Sequence, residues 1–385
     1  MTQLRVPAVY MRGGTSKGVF FHAGDLPADP GQRDRLLLRV IGSPDPYGKQ
    51  IDGMGGASSS TSKVVIIATS ARDDADVDYY FGAVDIEKPV VDWSGNCGNL
   101  TAAVGPFAIS EGLVSVPPDG IAVVRIWQAN ISKMIVARVP MKDGEVMEEG
   151  DFELDGVTFP AAEIKIEFME PGGDADDEGG AMFPTGNKLD VIDVPGVGPV
   201  EMTMINAGNP AIFIDAATLG LTGTELQKDV SGNADLLKKA EAIRAHAAVA
   251  MGLGASAEEV SRTRLHTPKL AFFAKPASYT ASNGKAVGQD QIDIVARIFS
   301  MGALHHAMTG TGAVAIAVGA AIPGTLVSRV LGGSQTSIRF GHPSGTLAVG
   351  AEAKEVEGEW VVTKAIMSRT ARRLMEGVVR VPAVG

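Results

Sequence analysis

Two residues of this 385-residue chain have side chains suited to moving a proton, and both stand where the chain changes character. Cys97, the only cysteine, lies in "WSGNCGNLTAAVG" (93–105), just before an apolar run that reads as a helix. A thiol at a helix start is available as a base or nucleophile, whereas a lone cysteine inside a core is a small hydrophobe. The flanking Asn96, Gly98 and Asn99 favour function, because small and polar neighbours let a ligand approach the backbone. Lys63 ends the polar run "QIDGMGGASSSTSK" immediately before the apolar strand "VVII". A lysine at a strand mouth is either a solvated edge residue or, partly desolvated beside small residues, a base.

Around these two lie turns able to hold an anion. "MRGGTSKG" (11–18) lacks the spacing of a phosphate loop, since Lys17 is followed by Gly18. It still offers the Thr15 and Ser16 hydroxyls and free backbone N–H groups to a carboxylate, with Arg12 as a candidate ion-pair partner. "INAGNPAIFID" (205–215) places Asn206, Gly208, Asn209 and Pro210 in a turn between strands, either structural or a second group of amide donors. In "FGHPSGTLAVG" (340–350), His342 and Ser344 are equally open to both readings.

The remaining composition excludes several function classes. Six scattered histidines without a second cysteine or an H-E-x-x-H pattern argue against a zinc or iron site. No G-x-G-x-x-G opens a strand–turn–helix unit, which argues against a dinucleotide. A net charge of -11 gives no basic footprint for nucleic acid or an anionic membrane. The start has no signal-peptide core, and the most apolar stretch is interrupted by Pro323, so a cytoplasmic protein with no membrane span is expected. One cysteine allows no internal disulfide. Chemistry is expected to run on side chains alone, without cofactor or metal.

The elements that position these residues read as α+β. Short Val/Ile-rich runs at 6–11, 77–86, 121–131, 133–141 and 163–169 predict strands, without the regular strand–helix alternation of a parallel sheet. Helices are predicted after Cys97, over 234–251 and 290–302, and after Thr311. The length suggests two domains and a cleft. The acidic, glycine-rich segment 170–187 reads as a long loop near the boundary, a connector or a lid. "NCGNLTAAVGPFA" (96–108) and "MTGTGAVAIAVGA" (308–320) form a weak internal repeat, each a polar turn before an Ala/Val-rich helix. Two such helix starts could hold carboxylates on backbone amides in an acidic protein.

The ordered motifs "MRGGTSKGVFF", "GSPDPYGKQIDGMGGASSSTSK", "VDWSGNCGNLTAAVGPFAI", "RIWQANI", "FPTGN", "INAGNPAIFI", "LHHAMTGTGAVAIA" and "RFGHPSG" resemble the PrpF family, the 2-methylaconitate cis-trans isomerases of propionate breakdown, from Val6 to Pro382. The resemblance implies a diaminopimelate-epimerase-like fold: two similar lobes, each an antiparallel-rich sheet wrapped around a central helix, with the active site in the cleft between them. Residues 1–184 would form the lobe carrying Lys63 and Cys97, with a strand near 376–385 returning to it, and residues 185–375 the lobe carrying the 308–320 helix start. "CGNLTAA" is similar to the first catalytic-cysteine motif of those epimerases. "TGTGAVA" stands in the place of the second, where this chain has Thr309, a hydroxyl that does not ionise near neutral pH. A symmetric two-thiol mechanism is thereby excluded, and Lys63 matches the lysine that the isomerases use as base.

By this resemblance the catalytic pair is Lys63 and Cys97. The substrate ligands would be Thr15, Ser16, Ser62, Asn96, Gly98, Asn99, Asn206, Met308, Thr309 and Gly310. The substrate would be a tricarboxylate, and the functional partner an aconitase-like 2-methylcitrate dehydratase; a homo-oligomer is compatible. Related tautomerases of 4-oxalomesaconate or isomerases of methylitaconate are the rival activities. A non-catalytic tricarboxylate binder would need the amide-rich turns but not a base and a thiol together.

Overall fold

Residues 3–173 and 181–382 are described by a computed structural model. The chain divides into two units, one of residues 1–166 with 368–385 and one of residues 167–367. The mixed sheets and few helices of both units are an α+β architecture.

In the first unit β1 (Leu4–Gly13) turns tightly into β2 (Ser16–His22), and α1 (Pro30–Ile41) crosses to β3 (Lys63–Thr69). β4 (Val77–Val84), β5 (Val91–Asp92), α2 (Gly98–Ser110), β6 (Gly120–Gln128), β7 (Lys133–Lys142) and β8 (Glu145–Val146) follow. The last strand of the chain, β21 (Ala371–Val381), pairs antiparallel along β1 from Leu4↔Val381 to Gly13↔Ala371. The order is β21-β1-β2-β3-β4-β6-β7, with β2–β3 and β4–β6 parallel and the other pairs antiparallel.

One face of this sheet wraps around α2, whose residues Gly98 to Ala108 are all buried. A helix apolar on every side is a core element rather than a surface one. Glycine allows its close approach: a Cβ on Gly105 would lie 2.9 Å from Val139 Cγ2, and one on Gly13 would lie 2.7 Å from the Asn99 carbonyl. The opposite face is covered by α1, whose Leu36, Leu37, Val40 and Ile41 pack with Val19, Phe21, Val64 and Ile66. Asp29 caps α1 by accepting from Gln32 N at 2.8 Å, and Gly42 ends it at φ 86°.

The second unit repeats this plan. β9 (Ile164–Met169) leads to β10 (Asp190–Val194), β11 (Gly198–Ala207) and β12 (Asn209–Asp215). α3 (Gln227–Ser231), α4 (Ala234–Ala250) and α5 (Ala257–Thr263) precede β13 (Lys269–Ala274), the small hairpin β14 (Tyr279–Thr280) and β15 (Ala286–Val287), β16 (Ile294–Ser300) and β17 (Ala303–Leu304). α6 (Gly310–Ala321), α7 (Leu326–Leu331), β18 (Ser337–His342), β19 (Gly345–Val356) and β20 (Glu359–Arg369) complete it. The order is β10-β11-β12-β13-β16-β18-β19-β20, again with the second hairpin strand parallel to the next (β12–β13) and a second parallel pair (β16–β18). α6 is buried over its whole length, as α2 is over most of its own. α4 covers the other face through Leu236, Ala240, Ile243 and Ala247, against Met202, Ile214, Leu270 and Phe272.

One expectation is corrected. Residues 290–302 do not form a helix: β16 occupies Ile294–Ser300, all seven residues buried. A strand buried on both faces shows no in–out alternation, and the buried Arg297 interrupts the apolar run that would otherwise mark it. Beside the expected lobe of 1–184 with a returning strand near 376–385, contacts within the chain group residues 1–166 with 368–385, and β21 runs over Ala371–Val381. Of the segment 170–187, residues 174–180 lie outside the described residues, and the lid reading falls partly on them. Among the described residues, no helix is long and apolar enough to cross a membrane.

Candidate active site

Cys97 occupies the N-cap of α2 in extended backbone geometry (φ -111°, ψ 91°) and makes no side-chain capping bond. Its thiol is a poor acceptor, so the first turn of α2 keeps its N–H groups uncapped by it. The Cys97 carbonyl accepts from Thr101 N and Thr101 Oγ1, both at 3.0 Å, and from Tyr79 Oη at 3.4 Å. Burial, then the neighbouring Cys97, push the Tyr79 hydroxyl well above the ordinary tyrosine range, so it stays a donor.

Lys63 opens β3, and its side chain lies on the α2 side of the sheet. Its Nζ donates to Cys97 Sγ at 3.5 Å and stands 4.9 Å from the centre of the Phe81 ring. Lys63 is 5% and Cys97 6% exposed, so the amine and thiol face each other with little bulk water between. The two residues singled out for proton transfer are therefore in contact across 34 positions of sequence.

The polar turns of the first unit gather at the same helix start. Asn99 Nδ2 donates to Thr15 Oγ1 at 3.1 Å, while Asn99 Oδ1 accepts from Arg369 Nε at 3.0 Å. Gly14, at φ 51°, has no side chain because a Cβ there would lie 2.5 Å from Asn99 Oδ1. Ser16 Oγ is buried and makes no hydrogen bond among the described residues. Asn96 is fully buried, with Oδ1 accepting from Thr101 Oγ1 at 3.3 Å. Ser62 differs: its hydroxyl donates to Gln50 Oε1 at 2.7 Å, which makes it part of the support of Lys63. Arg12 is committed as well, its Nη1 donating to the carbonyls of Gly14 and Thr370 and to Thr370 Oγ1, so it braces the turn.

In the second unit the equivalent helix start collects the other candidates. Thr309 is the N-cap of α6, its Oγ1 accepting from Gly312 N at 3.1 Å, with Met308 and Gly310 buried on either side. The 207–209 turn packs on this start: Asn209 Nδ2 donates to Thr311 Oγ1 at 3.2 Å, and a Cβ on Gly208 would lie 3.0 Å from Val314 Cγ1. The Asn206 backbone is pinned by Met182 O and Gly173 N. His342 and Ser344 are tied into the chain leading to Met308, Ser344 donating to the His306 carbonyl at 2.6 Å and to His342 Nδ1 through its backbone.

Three residues of the first unit's site carried no sequence signal of their own. Arg369 is 1% exposed, with burial pushing its guanidinium down to about 10 against an upward pull from Cys97. Tyr79 is an ordinary member of a strand pattern. Gln50, at φ 51° and 1% exposed, accepts from Ala57 N at 2.8 Å and Ser62 Oγ and donates to Ser43 Oγ at 3.0 Å, fastening the loop that delivers Lys63. Among the described residues no group of three or more His, Cys, Asp or Glu side chains is placed to hold a metal ion.

The chain as a whole is similar to several known proteins. The chain is 63% identical over 388 residues to the 2-methyl-aconitate isomerase of Shewanella oneidensis, covering 99% of this chain and 98% of that one. It is 60% identical to the protein of the same name from Cupriavidus necator, with the same coverage. The crystal structure of a methylitaconate-delta-isomerase superposes with a TM-score of 0.76 at 42% identity, over 99% of this chain and 96% of that one. A hydroxyproline epimerase from Agrobacterium vitis shares the fold alone, with a TM-score of 0.58 at 12% identity over 98% of this chain and 93% of that one. The family model described as PrpF protein matches residues 3–382, and the chain belongs to that family.

Proposed function

We propose that the protein is a cofactor-independent isomerase that interconverts trans- and cis-2-methylaconitate. The observation that carries this reading is the 3.5 Å contact of Lys63 Nζ with Cys97 Sγ at the uncapped start of α2. Rotation about an intact C=C bond is far too slow for metabolism, so the double bond must first lose its character. In its amine form, Lys63 takes a proton from the carbon allylic to the alkene, and the electron pair left behind spreads into a dienolate in which the former double bond is single. Rotation about it and return of one proton to the same carbon give the other isomer, with no net change in atoms or electrons.

Charge that develops on the carboxylate oxygens is stabilised by donors fixed in advance, the N–H groups of the first turn of α2 and the Ser16 hydroxyl. Cys97 stands beside the amine, in place to return the proton or to orient the intermediate. Identity to the two proteins named 2-methyl-aconitate isomerase supports this substrate over methylitaconate or 4-oxalomesaconate. The same reading places the enzyme in the cytoplasm, in propionate breakdown, next to an aconitase-like dehydratase that makes one of the isomers.

Proton NMR of 2-methylaconitate with the purified protein, and of 4-oxalomesaconate in a parallel tube, tests the assignment. Interconversion of the methylaconitate isomers is expected. Turnover of 4-oxalomesaconate alone would move the protein to the tautomerases, and silence in both tubes would leave a binder.

A further inference from the structure

Three polar side chains of the first unit, Arg369, Asn99 and Thr15, form a chain in which each hydrogen bond has a forced direction. A guanidinium carries donors and no acceptor, and although burial pushes that of Arg369 down to about 10, it is charged at neutral pH. Asn99 must therefore turn its oxygen to Arg369 Nε, at 3.0 Å. The oxygen and nitrogen of one amide lie on opposite arms, so Nδ2 is left to donate to Thr15 Oγ1 at 3.1 Å. The Thr15 oxygen is thus an acceptor within the protein, and its own proton is free to be donated outward. Among the described residues Thr15 makes no other side-chain hydrogen bond.

The frame around this chain is stiff. Arg369 ends β20 and is 1% exposed, and its Nη1 donates to the Ser368 carbonyl at 3.0 Å. Among the described residues no carboxylate pairs with it, and it sits at the positive end of α2, where packing alone gives a buried cation no gain. The backbone of the first hairpin closes over the bond: a Cβ on Gly14 would lie 2.5 Å from Asn99 Oδ1 and 3.1 Å from Arg369 Cδ, and Gly14 N donates to the Thr370 carbonyl at 2.8 Å. Thr15 is half-buried beside Ser16, whose buried hydroxyl makes no hydrogen bond among the described residues. The hairpin tip, tied to the first turn of α2 through Asn99, therefore carries two hydroxyl protons without acceptors.

We propose that Arg369 is a positioning residue for substrate binding: through the Asn99 amide it holds the Thr15 hydroxyl as a hydrogen-bond donor to a carboxylate of the substrate. Without Arg369 the amide can turn round, and the Thr15 proton goes to the Asn99 oxygen instead. The proposal rests on the substrate class proposed above.

A double-mutant cycle read by calorimetric titration with the saturated tricarboxylate tricarballylate, with steady-state kinetics beside it, tests this. In the otherwise unaltered chain Thr15→Val is expected to weaken binding about 10-fold, the low end for a hydrogen bond to a charged group, and to raise KM with kcat held within about fivefold. In the Arg369→Leu background the same step should cost about twofold or less, and in Arg369→Lys, whose ammonium also only donates, about 10-fold again. General loosening of the fold would leave the step equal in all three backgrounds. An equal loss for Thr15→Val with and without Arg369, or no loss in either, overturns the proposal and leaves the substrate class standing. Failure of the unaltered protein to bind tricarballylate removes the substrate class and the proposal together. Should Arg369→Leu not fold, Asn99→Asp takes its place, since it keeps a partner for Arg369 but accepts the Thr15 proton. Thr15→Val should then change binding by less than about twofold, and a loss of about 10-fold overturns the proposal.

Discussion

Arg369 Nε donates to Asn99 Oδ1 at 3.0 Å, joining residues 270 positions apart. The bond fixes which way the Asn99 amide faces and turns its Nδ2 to Thr15 Oγ1. The end of the chain thereby holds the first turn of α2 and the first hairpin in one arrangement. Arg369→Leu leaves a buried amide oxygen without its donor and is expected to lower stability by about 2 kcal/mol in urea unfolding. An unchanged midpoint would show that the bond orders nothing.

Cys97→Ser should separate stability from activity. Serine is among the better N-cap residues and cysteine among the poorer ones, so the substitution is expected to stabilise the protein by about 0.5–1 kcal/mol while it lowers turnover. Thr309→Ala should do the reverse for α6, removing the bond to Gly312 N at a loss of about 1 kcal/mol. Thermal unfolding of the two variants reads both, and a destabilised Cys97→Ser would contradict the capping analysis.

Tyr79 gives a pH signature. Its folded-state pKa is raised, so above about pH 10, the unfolded value, the folded chain holds a proton that the unfolded chain has lost, and stability falls as pH rises. Tyr79→Phe should flatten this alkaline fall. It should also weaken the fold by about 1 kcal/mol at neutral pH through the lost bond to the Cys97 carbonyl. Unfolding curves collected across the alkaline range check the slope; equal slopes in the two proteins would contradict it.

Gln50 is expected to act as a positioning residue for Lys63. Gln50→Ala leaves two buried hydroxyls and one half-buried N–H of the 43–62 loop without this partner and should lower kcat more than it raises KM. A Cβ on Gly55 would lie 2.2 Å from Gln50 Oε1, so Gly55→Ala should displace the same side chain. The double variant should be little worse than either single one, and additive losses would show that the two act separately.

Much of the chemistry was readable in the chain because its signals are local. Cys97 stands at a helix start and Lys63 at the junction of a polar run with an apolar strand, and each signal spans fewer than about ten residues. The contact between them is not local, nor are those of Arg369, Tyr79 and Gln50, whose neighbours along the chain look like any strand or loop. The 290–302 segment reads as a helix because a strand covered on both faces has no period to distinguish it from a buried helix. The repeat was visible only as two polar turns before Ala/Val-rich helices. The full repeat appears in the strand pairings, where β2–β3 and β12–β13 are the corresponding parallel pairs.

The central claim is that an allylic proton leaves to Lys63 before the double bond turns. Single-isomer 2-methylaconitate incubated in D2O with wild-type protein and with Lys63→Ala, followed by NMR at each carbon, tests it most directly. Deuterium is expected at one allylic position at a rate matching isomerisation, with both processes falling at least about 100-fold together in the variant. Isomerisation without deuterium entry in wild type, or a variant that still exchanges and isomerises at the wild-type rate, would contradict the account.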